Sequence, residues 1–207
     1  MTRQAVAFST VLAFAALAEP ALAHHPMGGA MPATFMQGLL SGFGHPVIGL
    51  DHFAAVVAIG CIASVHARGA RLVIGYIAAM MAGVFIHLMG ASLPGAELWV
   101  ALSVIALGAV LVARPGIGAR AALALFAVVG LFHGYALGES IYGAEQTPLV
   151  AYLIGLAVVQ CAMALAAMSV ARMVTRGVAE TPALRLMGAG IAGIGIAIVV
   201  QHLTPAV

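Results

Sequence analysis

The chain has 207 residues, 64% of them hydrophobic and 7% charged, with a formal net charge of +2. Soluble domains carry about 25% charged residues, so this composition cannot cover a water-facing surface and reads as an integral membrane protein. No basic cluster offers a nucleic-acid face, and no Walker-type phosphate loop points to an ATPase.

Residues 1–23 read as a secretory signal peptide. Arg3 supplies the charged start, residues 5–17 the apolar core, and Ala21-Leu22-Ala23 the A-x-A cleavage site. The apolar run is about 13 residues, short of the ~20 that a spanning helix needs. Cleavage after Ala23 makes His24 the new N-terminus and His25 its second residue. The α-amine, the His25 amide and the His25 imidazole together suit Ni²⁺ or Cu²⁺, which favour nitrogen ligands in a plane. Pro26 has no amide N–H, so a motif using the third amide is excluded. The plain alternative is an exported tail with incidental histidines.

Residues 24–207 then form one permease domain of six apolar spans, near 43–66, 71–93, 97–113, 119–142, 148–171 and 184–204. The expected fold is an all-α six-helix transmembrane bundle, because runs this long and uniformly apolar span as helices rather than barrel strands. Residues 34–41 are also apolar and suggest a half-helix leading into a break at residues 44–46. All seven arginines beyond the signal peptide fall in alternate loops: Arg68 and Arg71, Arg114 and Arg120, then Arg172, Arg176 and Arg185. The positive-inside rule makes that side cytoplasmic. Both mature termini are then periplasmic, and the expected location is the bacterial inner membrane. Cys61 and Cys161 sit in apolar runs and read as small buried hydrophobes. Gly130, Gly134 and Gly138 recur every fourth residue, a spacing that lets helix backbones approach closely in lipid.

Ionisable side chains inside the bilayer are costly and mark functional sites. At 1.5 Å per residue, His45 stands near the outer end of span one, with Asp51 and His52 about 10 Å deeper. His87 on span two falls about 8 Å below its outer end. Span four places Glu139 near the rim and His133 about 9 Å below it. All of them fall in the outer half, with His52 and His133 at similar depth. His45 and His52 are seven residues apart, so on one straight helix they share a face but lie two turns apart. Either they are successive stations or the chain bends between them. Asp51 reads as the counter-charge for a cation. A hydrogen-bonding strut between helices is the alternative role for each histidine, His87 above all. His133 and Glu139 repeat the six-residue separation of His45 and Asp51 on a span of opposite direction, suggesting two inverted three-helix halves.

His45-Pro46-x-x-Gly49-x-Asp51-His52 resembles the H-P-x-x-G-x-D-H signature of the HupE/UreJ family. Phe132-His133-Gly134-x-Ala136-x-Gly138-Glu139 resembles the family's second motif, with Glu139 one residue earlier than in that pattern. The resemblance implies a secondary permease for nickel or cobalt, with His45, Asp51, His52, His133 and Glu139 as transport residues. The reading from the sequence is therefore a non-enzymatic transporter of a divalent transition metal, Ni(II) or Co(II), from periplasm to cytoplasm. Its candidate metal residues are His25, His45, Asp51, His52, His87, His133 and Glu139. It has no catalytic residue or resident cofactor, and its partners are the metal ion and the lipid bilayer. A haem-binding electron carrier with histidine axial ligands and a copper-handling protein are the competing readings.

Overall fold

A computed structural model describes residues 30–204 apart from 114, 177 and 180. The signal peptide, His25 and Arg114 lie outside the described residues. Among these, seven helices follow in order: α1 Phe35–Ile48, α2 Leu50–Ser64, α3 Gly69–Leu88, α4 Ala96–Ala113, α5 Ala119–Glu139, α6 Gln146–Thr175 and α7 Pro182–Leu203. Helices α3 to α7 are each long and apolar enough to cross a membrane. The pair α1 and α2, bent by 77° at Gly49, makes a sixth crossing when counted as one. The expected all-helical bundle is present, with no strand among the described residues.

The first span is broken as the half-helix reading allowed, but its pieces differ from those expected. Helix α1 starts earlier, where Thr34 accepts the Gln37 amide while the Gln37 side chain accepts the Thr34 amide. This reciprocal cap satisfies donors that a helix start otherwise leaves bare. The helix then runs through Pro46 and ends at Ile48. The break therefore comes at Gly49 rather than at residues 44–46. Proline removes one amide bond and crowds the preceding turn. Here that weakened turn is the last one of α1, and the chain turns three residues later. Gly49 has φ −69° and ψ 105°, which any residue can adopt. Its lack of a side chain matters for space instead: a Cβ there would stand 3.0 Å from the His52 ring and 3.1 Å from the Asp51 carboxylate.

Glycines set the helix pairing. A Cβ on Gly42 of α1 would overlap the Tyr152 carbonyl of α6, and one on Gly134 of α5 would overlap the Met80 carbonyl of α3. The order of contacts along each pair shows α1 parallel to α6 and α3 parallel to α5. Helices α4 and α7 run antiparallel, with Gly108 against Gly188 and Gly195 against Ala101 and Ile105. The short helix α2 stands at the centre and touches all six others. Its run from Ala58 to Ser64 is wholly buried, and the small residues Ala58, Gly60, Ala63 and Ser64 let neighbours approach between Ile59 and Ile62. Large apolar side chains such as Phe35, Leu40, Ile74, Val158 and Leu186 face outward, as a lipid-facing surface requires.

The arginine-bearing connections share one end. Arg172 of α6 donates to Ser64 O at 3.0 Å and His66 O at 2.9 Å, and His66 in turn donates to Ile117 O. At the other end Tyr135 donates to Ala91 O and accepts from Leu93 N, and Glu97 faces His202. Arg176, with φ 52°, closes α6 in the left-handed conformation common at helix C-termini.

Candidate metal site at the helix break

The bend at Gly49 changes what His45 and His52 can do. On a straight helix they would lie about two turns apart. With the chain turned by 77° their ring centroids are 5.5 Å apart, edge to face. Of the two readings offered by the spacing, the bend is the one realised. His133, on α5, completes a buried row: its ring centroid is 4.9 Å from that of His52, and the two Nδ1 atoms are 2.8 Å apart. His45, His52 and His133 are 5%, 3% and 0% exposed.

Hydrogen count assigns the tautomers along this row. Ser103 of α4 donates its one proton to Val100 O at 2.7 Å, so its oxygen accepts from His133 Nε2–H at 2.9 Å. A neutral His133 then has its lone pair on Nδ1, which accepts from His52 Nδ1–H. His52 Nε2 then stands on the side of Asp51, whose Oδ1 is 4.0 Å away. Anchoring one ring nitrogen to orient the other is how metal-binding histidines are generally held.

His45 is anchored in the same manner. Tyr152 donates to Leu137 O at 2.8 Å, and Ser140 donates to the Tyr152 oxygen at 3.0 Å. His45 Nδ1 lies 3.1 Å from the Ser140 oxygen and 3.4 Å from the Tyr152 oxygen, and Ser140 also reaches Leu137 O at 3.1 Å. Ser103, Ser140 and Tyr152 were not legible as site residues from the sequence, since a lone serine or tyrosine in an apolar helix carries no signal of its own.

Asp51 lies in the first turn of α2 and accepts the His52 backbone amide at 2.7 Å. A carboxylate at a helix N-terminus is favoured by the backbone dipoles. Its side chain is 13% exposed, so the acid stands at the edge of the buried row.

Two other candidates lie apart from it. His87 packs edge to face on Tyr135 and Tyr142, with centroids 4.6 and 5.4 Å away, and its Nδ1 has no hydrogen-bond partner among the described residues. Glu139 is exposed at the end of α5. Among the described residues no three His, Cys, Asp or Glu side chains form a ready cage for one metal ion. His52 and His133 bond each other, and their nitrogens must separate before both can face an ion.

The HupE / UreJ protein family model matches residues 12–198. Protein HupE of Rhizobium leguminosarum bv. viciae is 33% identical over 126 residues, 60% of this chain and 63% of that protein. The chain thus spans less than two thirds of that relative. No solved structure matches it. The family is one of transporters and accessory proteins rather than enzymes. With both histidine motifs in place and the family match running from before α1 into α7, the chain belongs to the HupE/UreJ family.

Proposed function

We propose that this protein is a permease that carries a divalent transition-metal cation, Ni(II) or Co(II), from the periplasm into the cytoplasm across the bacterial inner membrane. The observation that carries the reading is the buried row of His45, His52 and His133 at a broken helix, with Asp51 at its edge. Broken helices inside membranes are where transporters place ion sites. Imidazole suits nickel and cobalt, and the acid offsets part of the desolvation of the cation.

In this reading residues 1–23 are removed as a signal peptide, both mature termini are periplasmic, and the arginine-rich end is cytoplasmic. His25, second from the new N-terminus, captures the ion. Glu139 and His87 flank its approach, and His45, Asp51, His52 and His133 hold it. Loading requires the His52–His133 hydrogen bond to open, so that each ring can offer a lone pair. An inside-negative potential of 100 mV favours entry of a divalent ion by about 4.6 kcal/mol, so no nucleotide is needed.

The haem reading is disfavoured, because His52 and His133 are in direct hydrogen-bond contact. A porphyrin could enter only by forcing α2 and α5 apart.

The test is uptake of radiolabelled nickel by cells expressing the chain, with cobalt as competitor. The expected result is saturable accumulation, reduced by cobalt and abolished by His52→Ala and by His133→Ala at unchanged protein level. Equal accumulation in both variants and the parent contradicts the reading.

A further inference from the structure

The way the helices pair holds information that the proposed site does not use. A Cβ on Gly42 of α1 would press on the Tyr152 carbonyl and stand 2.9 Å from the Leu156 amide nitrogen, four residues on along α6. Gly130 of α5 meets α3 in the same way, with a Cβ 2.8 Å from the Tyr76 carbonyl and 3.0 Å from the Met80 amide nitrogen. In both cases a glycine packs on a tyrosine carbonyl in a parallel pair, and in both a histidine follows three residues later: His45 and His133.

One offset of 88 positions relates Gly42 to Gly130 and His45 to His133. The same operation exchanges the partner helices, pairing the first span of each half with the second span of the other. The third spans close the symmetry. Gly108 of α4 and Gly188 of α7 face each other reciprocally, a Cβ on either standing 2.7 Å from the other's carbonyl oxygen. Such reciprocity is what elements beside a two-fold axis must show.

The offset also carries His52 to Ser140, and the contacts obey it. His52 meets His133 nitrogen to nitrogen at 2.8 Å, while Ser140 meets His45 oxygen to nitrogen at 3.1 Å. We infer that the bundle is an inverted repeat and that Ser140 is the counterpart of His52, a positioning residue that orients His45 towards the metal. This rests on the transport reading above. Inverted repeats place their substrate at the interface between halves and alternate access by rocking one half against the other. One histidine from each half, each held by a residue of the opposite half, offers the cation a ligand on both sides of that interface.

The test is nickel uptake over a range of concentrations by the parent, His133→Ala, Ser140→Ala and Ser140→Thr, each normalised to protein in the membrane. Loss of a partner that orients a metal-binding histidine costs about 10–100-fold in affinity. Ser140→Ala should therefore raise the half-saturating nickel concentration at least about tenfold with the maximal rate retained. Ser140→Thr, which keeps the hydroxyl, should recover the parent curve. A Ser140→Ala curve that overlays the parent, while His133→Ala is inactive, overturns the inference and leaves the transport reading standing. Loss of maximal rate with unchanged half-saturation in Ser140→Ala also overturns it, since that is a purely structural role. A parent that accumulates neither nickel nor cobalt overturns the transport reading itself.

Discussion

The α1–α2 segment and helix α5 begin alike and end differently. Each sets a glycine against a tyrosine carbonyl and a histidine one turn later. The first segment then meets Pro46 and Gly49 and bends, while α5 has Gly134 and the fully buried Leu137 at the matching positions and runs on to Glu139. The bend turns a second histidine, His52, back to within 5.5 Å of His45 and against His133. The straight helix instead presents Ser140 to His45. The bent segment carries a histidine seven positions beyond its first histidine, and the straight one carries a serine there.

The largest effect expected from disturbing this comparison is on its shared part. Gly42→Val and Gly130→Val each drive a branched side chain into the backbone of a neighbouring helix. Overpacking typically costs about 1–3 kcal/mol even where side chains can yield, and here a carbonyl must move. Neither variant should yield monodisperse protein by size-exclusion chromatography in detergent; a parent-like elution profile from both would show that the pairing is looser than described.

Next comes the acid that only the bent segment brings beside the buried histidines. Asp51→Asn keeps the shape and removes the charge, and should reduce nickel uptake at least about tenfold at parent protein levels. Retained uptake would remove Asp51 from the site. Ser103→Ala, which frees His133 Nε2, should raise the half-saturating nickel concentration by about tenfold, read from a concentration series. The mildest change is Gly49→Ala. Its added methyl must shift the His52 ring by a few tenths of an ångström, so half-saturation should rise by less than for Ser103→Ala. An effect on uptake as large as that of Asp51→Asn would mean that the bend itself, not the placement of His52, is what the glycine protects.

Much of this was legible in the sequence. Run lengths yielded the five single-helix spans and, with the bent pair counted as one, the sixth, and the alternating arginines yielded the shared arginine end. Equal depth paired His52 with His133, which the structure joins at 2.8 Å. The break was placed a few residues early, because proline and the glycine at position 44 look like the strongest breakers when their surroundings are unknown. In the fold Pro46 is buried against neighbouring helices and its missing amide falls in the last turn. Ser103, Ser140 and Tyr152 escaped notice because hydroxyl residues in apolar helices commonly bond their own backbone, as Ser169 does here. The signal that would have found Ser140 was the 88-residue offset that already joined Asp51 to Glu139. Glu139 itself is exposed at the helix end, since the unbroken α5 carries it past the row that Asp51 borders.

The central claim is that imidazoles from the bent segment and from α5 bind the same ion within the bundle. X-ray absorption at the nickel edge on the purified, nickel-loaded protein tests it most directly, using a chain in which His24→Ala and His25→Ala silence the N-terminal tract. The account predicts imidazole scattering around the bound nickel that falls when His52→Ala and His133→Ala are added and only His45 of the buried row remains. A nickel environment that keeps its imidazole signal unchanged after both replacements would contradict it.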